Sequence, residues 1–359
     1  MAVVCRRGRT RGPTPTRVVP EVGATPEDPP SYTPLVLTLE PIAIDPGPLR
    51  YFGGFDFTRD ARTLVVGHFF GKDRALTAWD TVSWTRRWST AIRETPSEVV
   101  VARDARWVAT LRDTPVWLWD LDTGAPIGTI GASASLWRPL VALPQERLIV
   151  GERPGTAPTS LSVWHAPGGE LLGRFCASPA GFFPSIALDS ACTRVAAHSQ
   201  LHTLSLWDFS SGKQVHDFGG AHPASPPRDP GGAMPLLFHP EGDRVIVGGL
   251  VDAPGPAVFD ASTGRRLGHL PGPELQSPAT ALAVSPCGRW LVGAYGWQED
   301  DHWPWQDLAL RVWDLRTGQL VQHLPVLVHP AGRLLFSSDG SLLVAGSTDG
   351  LQVWSVTAR

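Results

Sequence analysis

Short stretches in which apolar and polar residues alternate, each closed by turn-forming residues, run along most of this chain. They are clearest over residues 281–324. There Ala281–Ser285 and Leu308–Trp313 alternate, whereas Trp290–Tyr295 is almost continuously apolar and Gln319–Leu324 follows a Gly-containing turn. A period of two predicts β-strands, and a continuous apolar run predicts a strand covered on both faces. We therefore predict a four-stranded antiparallel unit here, which is too small to bury both faces unless it stacks on copies of itself.

The copies are recognised by an apolar strand that ends in a large aromatic residue and is followed by a turn. Seven positions fit this description: Trp79, Trp119, Trp164, Trp207, Phe259, Trp313 and Trp354. Neighbouring positions are 40 to 54 residues apart, which is close to the period of about 40–45 residues typical of propeller blades. The longer intervals contain Pro- and Gly-rich or acidic connections. The pattern predicts an all-β fold, a seven-bladed β-propeller with four antiparallel strands in each blade.

The turns that follow the aromatic positions are also alike, as in Asp122-Thr123-Gly124, Ser262-Thr263-Gly264 and Arg316-Thr317-Gly318. A Trp-Asp dipeptide is intact in four of the seven units: Trp79-Asp80, Trp119-Asp120, Trp207-Asp208 and Trp313-Asp314. With these motifs the chain resembles the WD40-repeat family over residues 33–357. The resemblance implies a single propeller domain that assembles other proteins on one of its loop faces.

Several family positions differ in this chain. The family's Gly-His dipeptide has only partial counterparts, at His222 and His329, and Ala345 stands where the family has a hydroxyl residue on a strand. Asp349 does match the family's loop aspartate. The resemblance therefore implies the architecture and the class of function but does not specify a partner.

One predicted strand, Leu35–Leu39, has no hairpin partner near it in the sequence. The last unit, in contrast, has only three predicted strands, at Arg333–Phe336, Ser341–Gly346 and Leu351–Val356. The two defects complement each other. We predict that the N-terminal strand completes the last blade, because closing the ring in this way removes exposed sheet edges.

Residues 1–32 are predicted to form an arm that precedes the propeller at 33–357. The arm is Pro-rich, and its first twenty residues contain arginines and no acidic residue: Arg6, Arg7, Arg9, Arg11 and Arg17. Such a segment fits a disordered tail or a start codon assigned too early, and it also fits a tether for nucleic acid or acidic lipid. The formal charge of the whole chain is −3, which argues against nonspecific binding of nucleic acid.

The cysteine pattern and the absence of long apolar runs bear on location. The four cysteines, Cys5, Cys176, Cys192 and Cys287, are scattered without metal-ligand spacing, which predicts reduced thiols in a cytoplasmic protein. No run of about 18 apolar residues is present for a membrane span, and no apolar region follows the N-terminal arginines as it would in a secretory signal. We expect a monomeric propeller.

The most distinctive connection lies within residues 296–307, between the second and third strands of the sixth unit. It combines three tryptophans outside the repeat pattern with four carboxylates: Trp297, Trp303, Trp305, Glu299, Asp300, Asp301 and Asp307. Exposed tryptophans are frequent binding hot spots, and the acids suit a basic segment of a partner protein or peptide. Alternatively, the tryptophans fold back as a lid while the acids solvate the loop. The spacing does not match a calcium loop, so no metal or other cofactor is predicted.

A second hypothesis is a propeller enzyme, or a binder of a small ligand or metal, that uses the central opening. Histidines from different units map to the face that carries the longer connections: His68, His198, His202, His222 and His302. Of these, His68, His198, His202 and His302 would be the metal ligands or bases. No nucleophile elbow, zinc-protease motif, phosphate loop or dinucleotide fingerprint occurs in the chain. We therefore favour a non-catalytic interaction scaffold without catalytic residues.

Overall fold

A computed structural model describes most of the chain as β-strands joined by turns. The described ranges are 37–42, 50–70, 73–104, 106–112, 115–131, 136–152, 159–178, 185–198, 204–218, 235–248, 255–272, 279–297, 306–325, 331–347 and 350–358. These ranges contain no helix with the length and apolarity needed to cross a bilayer. The arm predicted at 1–32 lies outside them.

The strands form seven four-stranded antiparallel sheets, the blades. The chain starts with β1 (Leu37–Ile42). Blade 1 contains β2 (Arg50–Phe57), β3 (Thr63–Phe70), β4 (Asp73–Asp80) and β5 (Arg86–Ala91). Blade 2 contains β6 (Glu98–Val101), β7 (Trp107–Leu111), β8 (Val116–Asp120) and β9 (Pro126–Ile130). Blade 3 contains β10 (Leu136–Leu143), β11 (Arg147–Glu152), β12 (Thr159–His165) and β13 (Glu170–Ser178). Blade 4 contains β14 (Ser185–Leu188), β15 (Arg194–His198), β16 (Leu204–Asp208) and β17 (Gln214–Asp217).

The remaining three blades repeat this arrangement. Blade 5 contains β18 (Leu236–Phe238), β19 (Arg244–Val247), β20 (Ala257–Asp260) and β21 (Arg266–His269). Blade 6 contains β22 (Ala281–Val284), β23 (Trp290–Trp297), β24 (Gln306–Asp314) and β25 (Gln319–Leu324). Blade 7 contains β26 (Arg333–Phe336), β27 (Leu342–Ser347) and β28 (Gly350–Ala358), with β1 as its fourth strand. The predicted fold class, a seven-bladed propeller, is confirmed.

The N-terminal strand closes the ring, as predicted. It pairs antiparallel with β28 from Leu37↔Ala358 to Ile42↔Val353. The strand extends to Ile42 instead of ending at Leu39, although Pro41 lies within it. Proline lacks a backbone N–H, but an outermost strand tolerates it because one of its sides has no ladder to maintain.

The apolar core lies between neighbouring blades. The buried cluster between blades 1 and 2, for example, joins Val65 and Ala78 to Val108 and Trp119. The first strands of neighbouring blades contact each other around the axis, whereas the fourth strands form the rim. Each blade thus buries both faces only because it has a neighbour on each side.

The seven aromatic repeat positions all lie in the third strand of a blade: six are the penultimate residue of that strand, whereas Trp354 lies in the middle of the longer β28. Six of them are buried: Trp79, Trp119, Trp164, Phe259, Trp313 and Trp354. Trp207 is only half-buried and packs at the margin of the cluster between blades 3 and 4. The position is therefore structural in every blade, but it is not equally enclosed in all of them.

The turn after the third strand is held by the aspartate of the Trp-Asp dipeptide. In blade 2, Asp120 Oδ1 accepts hydrogen bonds from the backbone N–H groups of Asp122 and Thr123, at 3.1 and 2.8 Å, and from the Thr123 hydroxyl at 2.7 Å. Gly124 then adopts a φ of 69°, a conformation that glycine reaches without steric penalty.

In the corresponding turn of blade 5, Asp260 accepts bonds equivalent to those of Asp120. In blade 6, Asp314 Oδ1 accepts the Arg316 backbone N–H, while its Oδ2 is bonded to Arg289.

Two cysteines lie in turns that follow the first strand of a blade. Cys192 follows the first strand of blade 4 and Cys287 the first strand of blade 6. Both are free thiols. Cys192 takes a φ of 55° at a turn position that is Gly242, Gly288 and Gly340 in blades 5 to 7 and Ala61 in blade 1.

Candidate functional site

The connections of the propeller are divided between two faces of the ring. Because each blade is a meander, the connections between second and third strands share one face with those that join successive blades. We call this the long-loop face, and we call the opposite one, which carries the other turns, the turn face. Two predicted loops of the long-loop face, 219–234 and 298–305, lie outside the described residues.

The structure describes only the ends of the predicted partner-binding loop. Trp297 pairs with Gln306 as the last rung of the β23–β24 ladder, and Asp307 lies in β24. Both strands are longer than the sequence pattern predicted, since β23 extends two residues beyond Tyr295 and β24 begins two residues before Leu308. The other proposed contact residues lie outside the described part of the chain: Glu299, Asp300, Asp301, Trp303 and Trp305.

The two described histidines of the long-loop face belong to different parts of the ring. His68 lies in β3 of blade 1, two residues before its end, and its Nε2 is 2.8 Å from Thr77 Oγ1. Burial lowers the pKa of this imidazole. His198 is buried at the end of β15 in blade 4. Neither belongs to a metal-capable group of described residues. His202, His222 and His302 lie outside the described ranges.

One group of metal-capable side chains does occur, on the turn face of blade 5. His239 Nδ1 lies 3.2 Å from Asp243 Oδ1 and 3.8 Å from Glu241 Oε2. The buried His239 ring reaches blade 6, where its Nε2 lies 2.9 Å from the Gly288 carbonyl oxygen. A carbonyl oxygen only accepts, so Nε2 carries the proton in this bond. Nδ1 also accepts from the Glu241 backbone N–H at 3.4 Å, which holds the β18–β19 turn. The His239 ring thus stabilises this turn and, through Nε2, joins blade 5 to blade 6.

Charged side chains from three blades meet near the axis. Arg333 Nη1 of β26 lies 3.2 Å from Glu98 Oε2 of β6. Asp56 of β2, whose carboxylate is enclosed although the residue retains some exposure, accepts the backbone N–H groups of Phe57 and Val101, each at 2.9 Å. Burial raises the pKa of Asp56, while Arg333 and these N–H groups act in the opposite direction. The contacts join blades 7, 1 and 2, and their role is structural.

A cleft of about 360 Å³ separates the outer parts of blades 1 and 2. It begins on the long-loop face, between the β5–β6 and β7–β8 connections, and continues along β8 to the start of β9. Rigid apolar side chains form much of its lining: Ile92, Pro96, Pro115, Trp117, Trp119 and Pro126. Its volume falls within the range of roughly 300–1,000 Å³ that is typical of ligand pockets.

Two tryptophans on one face of β8 form the aromatic wall of this cleft. Trp117 and Trp119 stack with their ring centroids 5.9 Å apart. Trp119 is buried and donates its indole N–H to Thr110 Oγ1 at 2.9 Å, whereas Trp117 is 39% exposed. Trp117 thus presents an aromatic surface that its own fold leaves uncovered.

The polar groups of the cleft lie mostly where it opens on the long-loop face. Arg93, Glu94 and Arg112 line it there. Arg112 Nη1 donates to the Thr95 carbonyl oxygen at 3.1 Å, and Arg74 Nη1 donates to the Arg93 carbonyl oxygen at 2.7 Å. These bonds hold the β5–β6 connection in place, so the cleft is a fixed feature of the ring.

The sequence interpretation missed this cleft. The one local sequence signal of the cleft is the spacing of Trp117 and Trp119. Residues two apart on a strand point to the same face, so the two rings lie side by side. The repeat pattern alone explains Trp119, and it assigns no role to Trp117. The blade 1 wall, at Ile92 and Pro96, is distant in sequence and becomes a neighbour only when the blades stack.

A scan against protein-family models finds no match to this chain, and a search of curated proteins finds no significant relative. The class of protein therefore follows from the fold: the chain is a seven-bladed β-propeller with a ring closed by its N-terminal strand.

Proposed function

We propose that this propeller is a non-catalytic, cytoplasmic WD40-type scaffold that binds a partner protein or peptide on its long-loop face. The observation that carries the proposal is the cleft between blades 1 and 2, where Trp117 is exposed beside rigid apolar side chains. Tryptophan in a preformed cleft is a frequent binding hot spot. Propellers also host enzymes, and the non-catalytic part of the proposal rests on the lack of catalytic motifs in the sequence.

The assignment to the WD40 class rests on the repeat residues and their contacts. Asp80, Asp120 and Asp208 each cap the turn after the third strand of a blade. The bond from Trp119 to Thr110 matches the tryptophan–hydroxyl part of the network that WD40 repeats use. These features support the class, and the family members' role as assembly platforms supports the function.

The tryptophan- and acid-rich loop of blade 6 is proposed as a second contact on the same face. Its ends are held together by the Trp297–Gln306 pair. The aromatic residues would anchor the partner, while the carboxylates would attract a basic segment of it.

Capture of partners from an isotope-labelled lysate of the source cells tests the proposal. Four purified proteins are compared: the parent, a loop variant (Trp297→Ala, Trp303→Ala, Trp305→Ala), the cleft variant Trp117→Ala, and the control Val215→Ala. Val215 is 47% exposed on the rim of blade 4, away from both sites. Circular dichroism verifies that all four are folded.

We expect a partner that the parent and the Val215→Ala control retain and that at least one variant of the long-loop face loses. Retention of the same proteins by all four samples would contradict binding at this face. Loss on Val215→Ala alone would instead place the interaction on the rim.

A further inference from the structure

We propose that the cleft between blades 1 and 2 binds an extended segment of the partner protein that combines proline with acidic residues. This inference rests on the proposed function, since it identifies the chemistry of the segment that the long-loop face receives. It is carried by three properties of the cleft: its apolar surface, its rigidity and the sign of its available charge.

The apolar surface suits a polyproline-type segment. Trp117 is exposed, and Trp119 supports it from behind at a centroid distance of 5.9 Å. Pro96 and Pro115 bound the cleft near the long-loop face, and Pro126 bounds it at the start of β9. Aromatic-lined grooves bind proline-rich segments because such segments are extended before binding and lose little conformational entropy.

The walls of the cleft are held by hydrogen bonds that do not depend on a ligand. Ser97 Oγ donates to the Leu111 carbonyl oxygen at 3.0 Å, which ties the β5–β6 connection to blade 2. Trp88 Nε1 donates to the Leu121 carbonyl oxygen at 2.7 Å, which ties β5 to the same blade. A preformed site avoids part of the ordering cost of association.

The available charge of the cleft is positive. Arg93 is exposed, and its guanidinium has no hydrogen-bond or ion-pair partner among the residues that the structure describes. Arg112 donates one N–H to the Thr95 carbonyl oxygen, and its other N–H groups have no partner within the described part of the chain. Glu94 is the one described acid in the lining. Guanidinium groups bind carboxylates with charge-assisted hydrogen bonds, so an acidic residue in the segment would pair with Arg93 or Arg112.

A single-stranded nucleic acid fits the cleft less well. Such ligands need a basic groove that follows the backbone as well as stacking residues. Here the available guanidinium groups, on Arg93 and Arg112, occur at one end of the cleft. The lining along β8 and at the start of β9 contains no other basic residue among those described, since Trp117, Trp119 and Pro126 are apolar. The observations therefore favour a peptide.

Fluorescence anisotropy with short fluorescein-labelled peptides tests the proposal on the full chain. The probe alternates proline with glutamate and leucine. In one control peptide lysine replaces each glutamate, and in another glycine replaces each proline. The protein variants are Trp117→Ala and Arg93→Glu, each with a matched control on the same blade outside the cleft, Ile127→Ala and Arg86→Glu respectively.

We expect the glutamate probe to bind at least about tenfold more tightly than either control peptide, which corresponds to about 1.4 kcal/mol. Trp117→Ala and Arg93→Glu should each weaken binding of the probe about tenfold or more, as removal of a hot-spot residue does. Ile127→Ala and Arg86→Glu should bind like the parent. Arg93→Glu should also reduce the preference for glutamate over lysine.

Equal affinity for the glutamate and lysine peptides would overturn the proposed chemistry, as would unchanged binding by both cleft variants. Tighter binding of a single-stranded oligonucleotide than of the probe would overturn the choice of ligand. Binding that appears only after residues 1–36 are deleted would assign the cleft to the chain's own acidic, Pro-rich stretch 25–34 and would overturn binding of a separate partner.

The test separates this inference from the proposed function. If Trp117→Ala still captures the cellular partner while the loop variant loses it, the long-loop face binds a protein but the cleft is not its site. If no variant of that face loses a partner, the proposed function fails independently of the peptide result.

Discussion

At the scale of single residues, aspartate decides the shape of the turn after the third strand. Asp208 Oδ1 accepts from the hydroxyls of Ser210 and Ser211 and from the Ser211 backbone N–H, each at 2.7 Å. Asp260 makes the equivalent bonds with Ser262 and Thr263. These hydrogen bonds, with a serine hydroxyl (Ser210 or Ser262) as the largest cause in each turn, lower the pKa of both carboxyl groups to about 2. The ionised form is therefore the one that holds the turn.

These pKa values predict a loss of stability in acid. A carboxyl group whose pKa is lower in the folded state contributes stability above its unfolded pKa of 3.8 and loses it as the pH falls through about 2. The urea midpoint should therefore fall between about pH 5 and pH 2. The double variant Asp208→Asn and Asp260→Asn should have a lower urea midpoint than the parent near neutral pH. Its urea midpoint should also fall less than that of the parent as the pH is lowered.

The difference in urea midpoint between the parent and the double variant isolates the contribution of the two turn aspartates. Asp56 acts in the opposite direction: its pKa is raised by burial, so its contribution is present below 3.8 and is lost as the pH rises through its folded value. Because both proteins retain Asp56, its effect cancels. An equal fall of the two midpoints would refute the role assigned to the turn aspartates.

The tryptophans differ in burial, and their contributions to stability should differ accordingly. Trp313 is fully buried, and its indole N–H donates to the Pro271 carbonyl oxygen at 2.8 Å. Trp313→Ala should lower the free energy of unfolding by about 3–5 kcal/mol. Trp117→Ala, at an exposed position, should lower it by less than about 1 kcal/mol, and Trp207→Ala should fall between the two. Urea denaturation measures all three, and similar losses at Trp117 and Trp313 would contradict this ranking.

At the scale of elements, the hairpin turns depend on a residue that accepts positive φ. Glycine provides it in most blades, as Gly124 does in blade 2, but Trp84 adopts a φ of 56° in blade 1. Its backbone N–H donates to the Asp80 carbonyl oxygen at 2.8 Å, as that of Gly124 does to Asp120. The same turn geometry thus forms with and without glycine, at a steric penalty in the second case.

Two glycines of blade 2 provide a matched test of this requirement. A Cβ at Gly124 would collide with the Trp88 ring and lie 2.7 Å from Thr90 Oγ1, in addition to the positive φ. Gly124→Ala should therefore lower the free energy of unfolding by at least about 1–2 kcal/mol. At Gly128, in β9, nothing lies within 4 Å of the added Cβ. Gly128→Ala should be neutral or slightly stabilising, and equal effects in thermal unfolding would show that turn geometry is not the cause.

At the scale of the whole molecule, contacts between neighbouring turns reinforce the closed ring. Ser338 Oγ of blade 7 donates to the Arg59 carbonyl oxygen of blade 1 at 2.5 Å. Arg194 Nη2 of blade 4 donates to the Gly242 carbonyl oxygen of blade 5, also at 2.5 Å. The Ser338 bond and the pairing of β1 with β28 close the ring between the last blade and the first, while the Arg194 bond ties two successive blades within it.

Removing β1 should open the ring. Deletion of residues 1–42 leaves β28 with an unpaired edge and removes Leu39, which packs against the core between blades 6 and 7. We expect a lower melting temperature and self-association through the exposed edge, because unpaired strands pair with other chains. Circular dichroism and size-exclusion chromatography detect these changes.

Deletion of residues 1–36 is the control, because it retains β1. This shorter deletion should melt like the parent protein. If the deletion of residues 1–42 also melted like the parent and stayed monomeric, β1 would not be needed for closure.

Strand alternation, turn chemistry and the aromatic period were sufficient to predict the seven blades and the closing strand. They are local properties of the chain: Gln319–Leu324 has the predicted bounds, and Gly124 and Gly264 take the positive φ that their turns require. The degree to which each repeat side chain is buried, for example that of Trp207, could not be predicted from these local properties. It depends on what the next blade places against it.

The candidate site required the tertiary structure for the same reason. The cleft unites Ile92 and Pro96 of one blade with Trp117 of the next, and the axial contacts unite Arg333 with Glu98. A repeat sequence specifies what each blade is, because strand and turn preferences act over a few residues. Which surfaces meet, and which remain open to a partner, is decided only when the blades stack around the axis.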